Sequence, residues 1–306
     1  MKIIDFFQPL TNSIGLMYNW NMRRKLQFNE MGININRKTN EVEFTDEHEF
    51  GVDTSLENKP TIDTTTIPGT TIYSIFQRND KLALDGNPLI YALKGDSKWW
   101  MSKENKRKLI SRINEILDKF CSLHESDYTI VVPSRSRLNS KFGELIHDSL
   151  SKFGKDNIIV ENMLVKMTVD EVKEEMFKDG SPFMNEFGDD VDFVWNSGLK
   201  ESFSHMEDEN DGIFSYKMVR PPMYRKYIVN TLKLSDSKYA REMSSKMIGK
   251  NVLIIDDTVT FGRTLKNAVD LTTSNIRKLN RDVSSIREMS PKSISILTLM
   301  STKKKD

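Results

Sequence analysis

The spacing of apolar residues divides the chain into segments with different predicted structures. Residues 32–36 and 41–45 alternate polar and apolar side chains on either side of a turn at 37–40, which predicts a β-hairpin. Residues 61–71 are rich in threonine, and Pro68-Gly69 is predicted to turn. We therefore expect a strand-rich N-terminal extension over residues 1–85.

A helical period replaces this alternation near residue 102. Apolar residues recur at spacings of three and four from Ser102 to Cys121, which predicts one amphipathic helix. A β-branched run at 128–132 then ends at Pro133, a second helical pattern covers 141–153, and another strand begins at 157. The order of strand, helix and strand is typical of a parallel α/β sheet.

The last part of the chain repeats this order. It has the pattern of a buried strand at 251–255, a helix at 263–279 and a final strand at 293–300. Residues from about 168 to 230 do not continue the alternation and are predicted to form an insertion, helical in part. The expected fold class is thus α/β, with a central, mostly parallel sheet flanked by helices.

This pattern predicts three regions: the extension at 1–85, an α/β domain at 86–302 that carries the insertion, and a solvated tail at 303–306.

Composition excludes several classes of protein. The chain has 306 residues, and its 45 basic and 44 acidic side chains give a net charge of +1, which counts against a long nucleic-acid groove. Cys121 is the only cysteine, so the chain can form neither an intrachain disulfide nor a thiolate metal cluster, and we expect Cys121 in the core. No apolar run approaches the roughly 18 residues of a membrane span, and residues 1–10 lack a signal-peptide pattern. We expect a cytoplasmic protein with no membrane partner.

The candidate chemistry lies directly after the predicted strand at 251–255. The segment reads Asp256, Asp257, Thr258, Val259, Thr260, Phe261, Gly262, Arg263, Thr264. Ligands bind beyond the carboxyl ends of parallel strands, and the N-terminus of the following helix favours an anion such as phosphate. Gly262 would let the backbone approach a ligand, and Thr260 and Thr264 offer hydroxyl groups. The paired acids suit sugar hydroxyls or a nearby metal ion, so the segment predicts a site for a ribose 5-phosphate.

The alternative for this segment is a strand end with two exposed acids and an ordinary helix cap. A Walker phosphate loop is excluded because the segment has no Gly-Lys-Ser/Thr, and a Rossmann loop is excluded because its three glycines are missing.

The segment resembles the signature of type I phosphoribosyltransferases. The resemblance implies that Asp256 and Asp257 hold the ribose 2- and 3-hydroxyls as the catalytic pair. It also implies that the 5-phosphate is bound by the loop of Thr258, Val259, Thr260, Phe261, Gly262, Arg263 and Thr264. Phe261 departs from the family, which usually has a small hydroxyl residue there, and this puts one side-chain hydrogen bond in doubt.

The family also needs a pyrophosphate loop after an earlier strand, and Ser134, Arg135, Ser136 and Arg137 occupy that place. Arginine binds phosphate oxygens through a planar fork. The alternative is that both arginines are ordinary solvated loop residues. Segments 87–95 and 139–146 are similar to the competence-protein branch of the family, and the whole resemblance covers about 89–165 and 232–302.

The resemblance implies an enzyme that transfers ribose 5-phosphate from 5-phosphoribosyl 1-pyrophosphate, with Mg²⁺, to a small-molecule base and releases pyrophosphate. The alternative is a non-catalytic sensor that binds the donor or a nucleotide in the same pocket. The hood over the base is expected from the N-terminal extension or the insertion, and either could also contact a second copy or a partner protein. The candidate residues for closing the site are Lys166, Lys173, Arg220, Arg225 and Lys226.

Overall fold

The computed structural model describes residues 31–46, 52–57, 59–78, 86–95, 98–259, 262–278 and 290–302. The predicted tail at 303–306 and the loop residues Thr260 and Phe261 lie outside these ranges, as do residues 1–30.

The first half of the described chain contains seven strands and three helices. In chain order they are β1 (Gly32–Asn36), β2 (Glu41–Thr45), β3 (Val52–Asp53), β4 (Thr61–Asp63), β5 (Thr71–Arg78), α1 (Gly86–Lys94), α2 (Lys103–Leu123), β6 (Tyr128–Val131), α3 (Leu138–Lys152) and β7 (Ile158–Val160). The predicted hairpin is confirmed, since β1 pairs antiparallel with β2 from Gly32↔Thr45 to Asn36↔Glu41. The predicted helices at 102–121 and 141–153 are α2 and α3.

The insertion lies between two short paired strands, β8 (Leu164–Lys166) and β9 (Leu232–Leu234). Its helices are α4 (Val169–Phe177), α5 (Pro182–Phe187), α6 (Val191–Val194) and α7 (Lys200–Glu209). Short helical turns join and follow them at Gly188–Asp190, Trp195–Leu199, Tyr216–Met218 and Pro222–Tyr227. The expectation of a partly helical insertion is confirmed.

The chain then returns to the sheet through α8 (Lys238–Lys246), β10 (Asn251–Val259), α9 (Arg263–Lys278) and β11 (Ser293–Thr302). The central sheet has the order β3-β5-β11-β10-β6-β7, and β4 also pairs with β5. The five strands from β5 to β7 run parallel, whereas β3 and β4 run antiparallel to β5. The general α/β class is therefore confirmed, with a mixed sheet.

Strand β5 was not predicted from the sequence. It pairs with β11 from Thr71↔Ser295 to Arg78↔Thr302. β5 belongs to the expected N-terminal extension at 1–85, yet it is a strand of the central sheet. The extension and the α/β domain therefore share one sheet, and the boundary expected at residue 86 does not separate them.

Alternation along the strands divides the core between the two faces of the sheet. Leu253 and Ile255 of β10 pack with α1, α2, α3 and the β1–β2 hairpin, whereas Val252 and Ile254 pack with α8 and α9. This follows from the period of two, which points successive side chains to opposite faces. Cys121 is buried in the first core as expected, and burial raises the pKa of its thiol to about 11.

The insertion has a third core of its own, rich in aromatic side chains such as Phe183, Phe203 and Phe214. Its first helix, α4, begins with a capping box in which Thr168 and Glu171 bond each other's backbone N–H groups. None of the described helices combines the length and apolar character that crossing a membrane requires.

Candidate functional site

A crevice opens at the carboxyl ends of the parallel strands, between β6 and β10. The connection after β6 passes through α3 to β7 on one side, whereas the connection after β10 passes through α9 to β11 on the other. Neighbouring strands whose connections leave in opposite directions create the crevice in which α/β proteins bind ligands. The predicted acid pair lies at this point.

Strand β10 is longer than the sequence predicted. Its pairing with β6 ends at Ile255↔Val131, but its pairing with β11 continues to Val259↔Ser301. The strand was expected to stop at Ile255, and that boundary is wrong because β11 keeps the next four residues extended. The acid pair is thus part of the strand, and its β6 side faces the crevice.

The carboxylate of Asp256 accepts hydrogen bonds from the backbone of the next residue and from a side chain of α3. Its Oδ1 accepts from the backbone N–H of Asp257 at 2.8 Å and from Asn139 Nδ2 at 3.0 Å. Burial, and then the charge of Asp257, raise the pKa of Asp256 to about 7, although the bond from Asn139 and the charge of Lys94 act in the other direction. The pair therefore carries less than two full negative charges near neutral pH.

Asp257 is 6% exposed and forms an ion pair with Lys94, the last residue of α1. The hydroxyl of Thr258 also donates to it, at 2.9 Å. Lys94 was not among the predicted site residues. A lysine at the end of an apolar helix has no sequence signal for a role at a strand nearly 160 positions later, so only the tertiary structure reveals the contact.

Lys166, at the start of the insertion, lies near the same group of charges. Burial lowers the pKa of its ammonium, the two aspartates act to raise it, and Arg135 and Lys94 add to the lowering. The sequence proposed Lys166 only as a residue that closes over the site, and the structure places it in the crevice wall.

The first part of the crevice is a cavity of about 590 Å³ beside the predicted pyrophosphate loop. Ser134, Arg135 and Ser136 line it together with both aspartates. Arg137 is not part of that lining, since it is the residue that precedes the first turn of α3. The structure thus brings three of the four loop residues to the acid pair.

The second part is a cavity of about 650 Å³ over the start of α9. Residues of the predicted phosphate loop line it: Thr258, Val259, Gly262, Arg263 and Thr264. Its opposite wall comes from the insertion. Of the two regions expected to provide a hood, the N-terminal extension and the insertion, it is the insertion that covers this part of the crevice. Thr260 and Phe261 belong to the undescribed residues, so their predicted contacts stay predictions.

Gly262 has a packing constraint that the sequence did not reveal. Its φ is +67°, and an added Cβ would lie 2.4 Å from Cγ2 of Thr66. The turn containing Thr66 is fixed by Asp63, whose carboxylate accepts from the backbone N–H groups of Thr65 at 2.7 Å and Thr66 at 3.0 Å. The N-terminal region therefore packs against the predicted phosphate loop at Gly262.

Arg263 links the loop to the insertion. Its guanidinium donates to the backbone carbonyl of Arg225 and bonds the hydroxyl of Tyr216. The predicted closing residues separate into two groups: Lys166, Arg225 and Lys226 line the crevice, whereas the ammonium of Lys173 lies 5.1 Å from the ring centroid of Trp195 in the insertion core. Arg220 makes backbone bonds to Ser202.

A third, smaller cavity of about 100 Å³ continues the crevice toward β5 and β11, where Arg78 and Lys217 join its lining. Across the three cavities the described lining contains eight basic side chains and two acidic ones. The crevice therefore has a strong local positive excess in a chain whose net charge is +1. Such a surface attracts anionic ligands.

The described residues contain no cluster of three or more histidine, cysteine, aspartate or glutamate side chains that would hold a metal ion without help from a ligand. Comparisons of the chain with known protein families, curated proteins and solved structures find no match.

Proposed function

We propose that the crevice binds 5-phosphoribosyl 1-pyrophosphate and transfers its ribose 5-phosphate to a nitrogenous base, with release of pyrophosphate. The observation that carries the proposal is that Asp256 lines two basic cavities, one at the start of α9 and one at the 133–136 loop, and that Asp257 lines the second of them. A sugar with a phosphate at one end and a pyrophosphate at the other matches that order of groups.

The 5-phosphate would bind at the start of α9. The first N–H groups of a helix have no partner inside it and point toward a ligand. The first intrahelical bond here is from the N–H of Lys266 to the carbonyl of Gly262, at 2.7 Å. The N–H groups of Arg263, Thr264 and Leu265 precede it and have no hydrogen-bond partner among the described residues, so an anion could accept from them.

The ribose diol would bind the acid pair. Each hydroxyl can donate to a carboxylate, and a protonated Asp256 can in addition donate to a sugar oxygen, since its pKa is raised to about 7. Lys94 bonds Asp257 in the free protein. Its ammonium has three donors, so it can keep this contact and also bond a pyrophosphate oxygen.

Transfer breaks the bond between C1 and the pyrophosphate oxygen, which leaves with the electron pair. Positive charge develops on the ribose ring, a nitrogen lone pair of the base forms the new bond to C1, and the base loses its proton to solvent. Arg135, Lys94 and Lys166 stabilise the negative charge that grows on the leaving group. The insertion limits the access of water to C1 from the opposite wall.

Magnesium fits these residues as an ion bound to the donor. Carboxylate oxygens are ligands that Mg²⁺ prefers, and the buried Oδ1 of Asn139, beside Asp256, has no hydrogen-bond partner among the described residues. Two acids are too few to hold the ion alone, so pyrophosphate oxygens would complete its shell. When bound, Mg²⁺ supplies electrostatic stabilisation of the leaving group.

Calorimetry with the donor and Mg²⁺ tests the binding site. The double variant Asp256→Asn/Asp257→Asn should weaken binding by about 100-fold or more, because each hydrogen bond to a charged group contributes about 1.5–3 kcal/mol. Glu144→Gln is the control, since Glu144 is an exposed acid on α3 that pairs only with Lys141 among the described residues. Unchanged binding in the double variant would remove the basis of the proposal.

Phosphorus NMR of the protein with donor, Mg²⁺ and a mixture of bases tests the transfer itself. Pyrophosphate should appear, and the double variant should not produce it. Tight binding without pyrophosphate release for any base would instead assign the crevice to a sensor of the donor.

A further inference from the structure

Asn139 is a buried side chain that connects the predicted pyrophosphate loop to the acid pair. It is the second residue of α3 and is 1% exposed. Its Nδ2 donates to the backbone carbonyl of Val132 at 2.8 Å and to Oδ1 of Asp256 at 3.0 Å. Val132 directly precedes the 133–136 loop, and its own N–H donates to the carbonyl of Ile255 at 3.0 Å. One amide thus contacts both the start of the loop and the acid pair.

The orientation of the Asn139 amide is fixed by its two acceptors. A side-chain amide has two N–H donors on its nitrogen and an oxygen that accepts, and both donors are used here. The reversed orientation would place Oδ1 against the carbonyl oxygen of Val132 and the carboxylate of Asp256. Oδ1 is buried and has no hydrogen-bond partner among the described residues. Buried polar groups are nearly always paired, so a residue that served packing alone would not require this unpaired oxygen.

The same contact determines which oxygen of Asp256 is left for a ligand. Oδ1 accepts from Asn139 and from the backbone N–H of Asp257 at 2.8 Å. A carboxylate oxygen has two lone pairs, so these bonds occupy Oδ1 and leave Oδ2 for a sugar hydroxyl. The carboxylate cannot rotate without losing both bonds.

The close approach of α3 to the sheet brings the amide of Asn139 within reach of both partners. Gly143 lies one turn later, where an added Cβ would be 3.2 Å from Cδ1 of Ile255 and 3.5 Å from Cγ2 of Val131. The absence of a side chain at this position lets the helix backbone pack directly on β6 and β10. The amide therefore belongs to a tightly packed junction of one helix and two strands.

We propose that Asn139 is a positioning residue that fixes the 133–136 loop relative to the carboxylate of Asp256. This inference rests on the proposed transfer of ribose 5-phosphate, in which the loop binds pyrophosphate and Asp256 binds the ribose. The donor carries both groups on one molecule, so it binds tightly only when the two parts of the crevice are correctly spaced. Pyrophosphate and ribose 5-phosphate as separate molecules do not depend on that spacing.

Calorimetry with three ligands in the presence of Mg²⁺ tests this role: 5-phosphoribosyl 1-pyrophosphate, pyrophosphate and ribose 5-phosphate. Asn139→Ala should weaken binding of the donor by about tenfold or more, and binding of each separate ligand by less than about threefold, because only the donor depends on the spacing. Ser149→Ala is the matched control. Ser149 is also a buried polar residue of α3, but its hydroxyl donates to Asp118 at 2.6 Å. The control should leave all three affinities unchanged.

Asn139→Ser separates positioning from stability. A hydroxyl has one proton, which can serve Val132 or Asp256 but not both, so this variant should bind the donor as weakly as Asn139→Ala does. Its unfolding midpoint in urea should lie between those of Asn139→Ala and the original protein. Donor affinity that recovers together with the midpoint would mean that Asn139 acts through stability alone. If Asn139→Ala does not fold, the three ligands are compared in Asn139→Ser, with the same expected difference.

The three ligands also separate this inference from the function on which it rests. If all three bind the original protein, but the Asn139 variants lose affinity equally for each or keep full affinity for the donor, the positioning role is wrong and the proposed function stands. If neither the donor nor ribose 5-phosphate binds the original protein with Mg²⁺, the proposed function is refuted, and the role of Asn139 is refuted with it.

Discussion

The sheet and the insertion form opposite walls of the same crevice, and they hold their side chains by different means. On the sheet side, Asp256 and Asp257 are fixed by strand pairing with β11, by Asn139 and by Lys94. On the insertion side, Lys217 and Lys226 are exposed and extend from short helical turns over a separate aromatic core. The first wall is rigid because its backbone is part of the sheet, whereas the second depends on a core of its own.

This difference separates two requirements of the proposed reaction. The sugar phosphate is common to every turnover and needs fixed carboxylates and N–H groups, which sheet strands and helix ends provide. In that proposal the acceptor would be contacted by side chains on connecting segments, which can change without disturbing the sheet. The sheet wall would then hold the sugar phosphate, and the insertion wall would face the acceptor.

The largest expected effect comes from a change in the core of the insertion. Phe203 is 2% exposed and packs between Trp195 at 5.0 Å and Phe214 at 5.7 Å. Phe203→Ala should cost about 3–5 kcal/mol of unfolding free energy in the insertion. Because this core is separate from those of the sheet, hydrogen exchange should accelerate in α4 and α7 but not in β10.

Phe193→Ala is the control, since Phe193 lies in the same insertion but is 77% exposed. It should leave exchange unchanged. Equal acceleration in β10 and α7 after Phe203→Ala would mean that the walls unfold as one unit and that the comparison is mistaken.

The sheet wall was largely predictable from the sequence. β6, α3, β10, α9 and β11 follow from local periodicity, and the place of the acid pair follows from the rule that ligands bind at the carboxyl edge of a parallel sheet. The predicted end of β10 at Ile255 was wrong. Most of the residues after Ile255 are polar, and their pairing with β11 keeps them extended.

The remaining contacts of the site are non-local and left no pattern in the sequence. β5 joins β11 across more than 200 residues. Lys94 pairs with Asp257, and Thr66 lies against Gly262, across more than 160 residues in each case. Lys217 and Lys226 of the insertion wall come from 3-10 turns, which have no periodicity strong enough to predict. Lys226 was among the residues expected to close the site, whereas the place of Lys217 was learned only from the fold.

The next effect concerns the contact between Thr66 and the predicted phosphate loop. Gly262→Ala should destabilise the protein by about 2–3 kcal/mol, of which about 1–2 is the cost of a left-handed backbone and about 1 or more is overpacking against Thr66. Thr66→Ser removes Cγ2 but keeps a hydroxyl for Asp63. The double variant should therefore recover the packing part when unfolding is measured in urea.

Gly154 has the same φ of +67° but no atom within 4 Å of an added Cβ. Gly154→Ala thus measures the backbone cost alone. A loss for Gly262→Ala no larger than that for Gly154→Ala would show that Thr66 does not press on the loop in solution.

The two arginines of the 134–137 loop offer a smaller test within the sheet wall. Arg135 lines the cavity beside the acid pair, whereas Arg137 precedes α3 and is not part of that lining. Arg135→Gln should weaken the binding of pyrophosphate with Mg²⁺ by about tenfold, the effect of one charge-assisted bond, and Arg137→Gln should change it by less than about twofold. Equal losses, measured by calorimetry, would place both arginines on the ligand.

The smallest expected effect is the response of the Asp63 turn to pH. Burial acts to raise the pKa of Asp63, but hydrogen bonds from Thr66 and Thr65 outweigh it and lower the pKa to about 2. Because the carboxylate is favoured by folding, its contribution is complete above the unfolded pKa of about 3.9 and is lost as the pH falls toward 2. Asp63→Asn should therefore be less stable than the original protein at pH 6 in urea unfolding, and the difference should shrink by pH 3. A difference that is the same at both pH values would mean that the charge of Asp63 does not hold the turn, and that Thr66 is kept against Gly262 by packing alone.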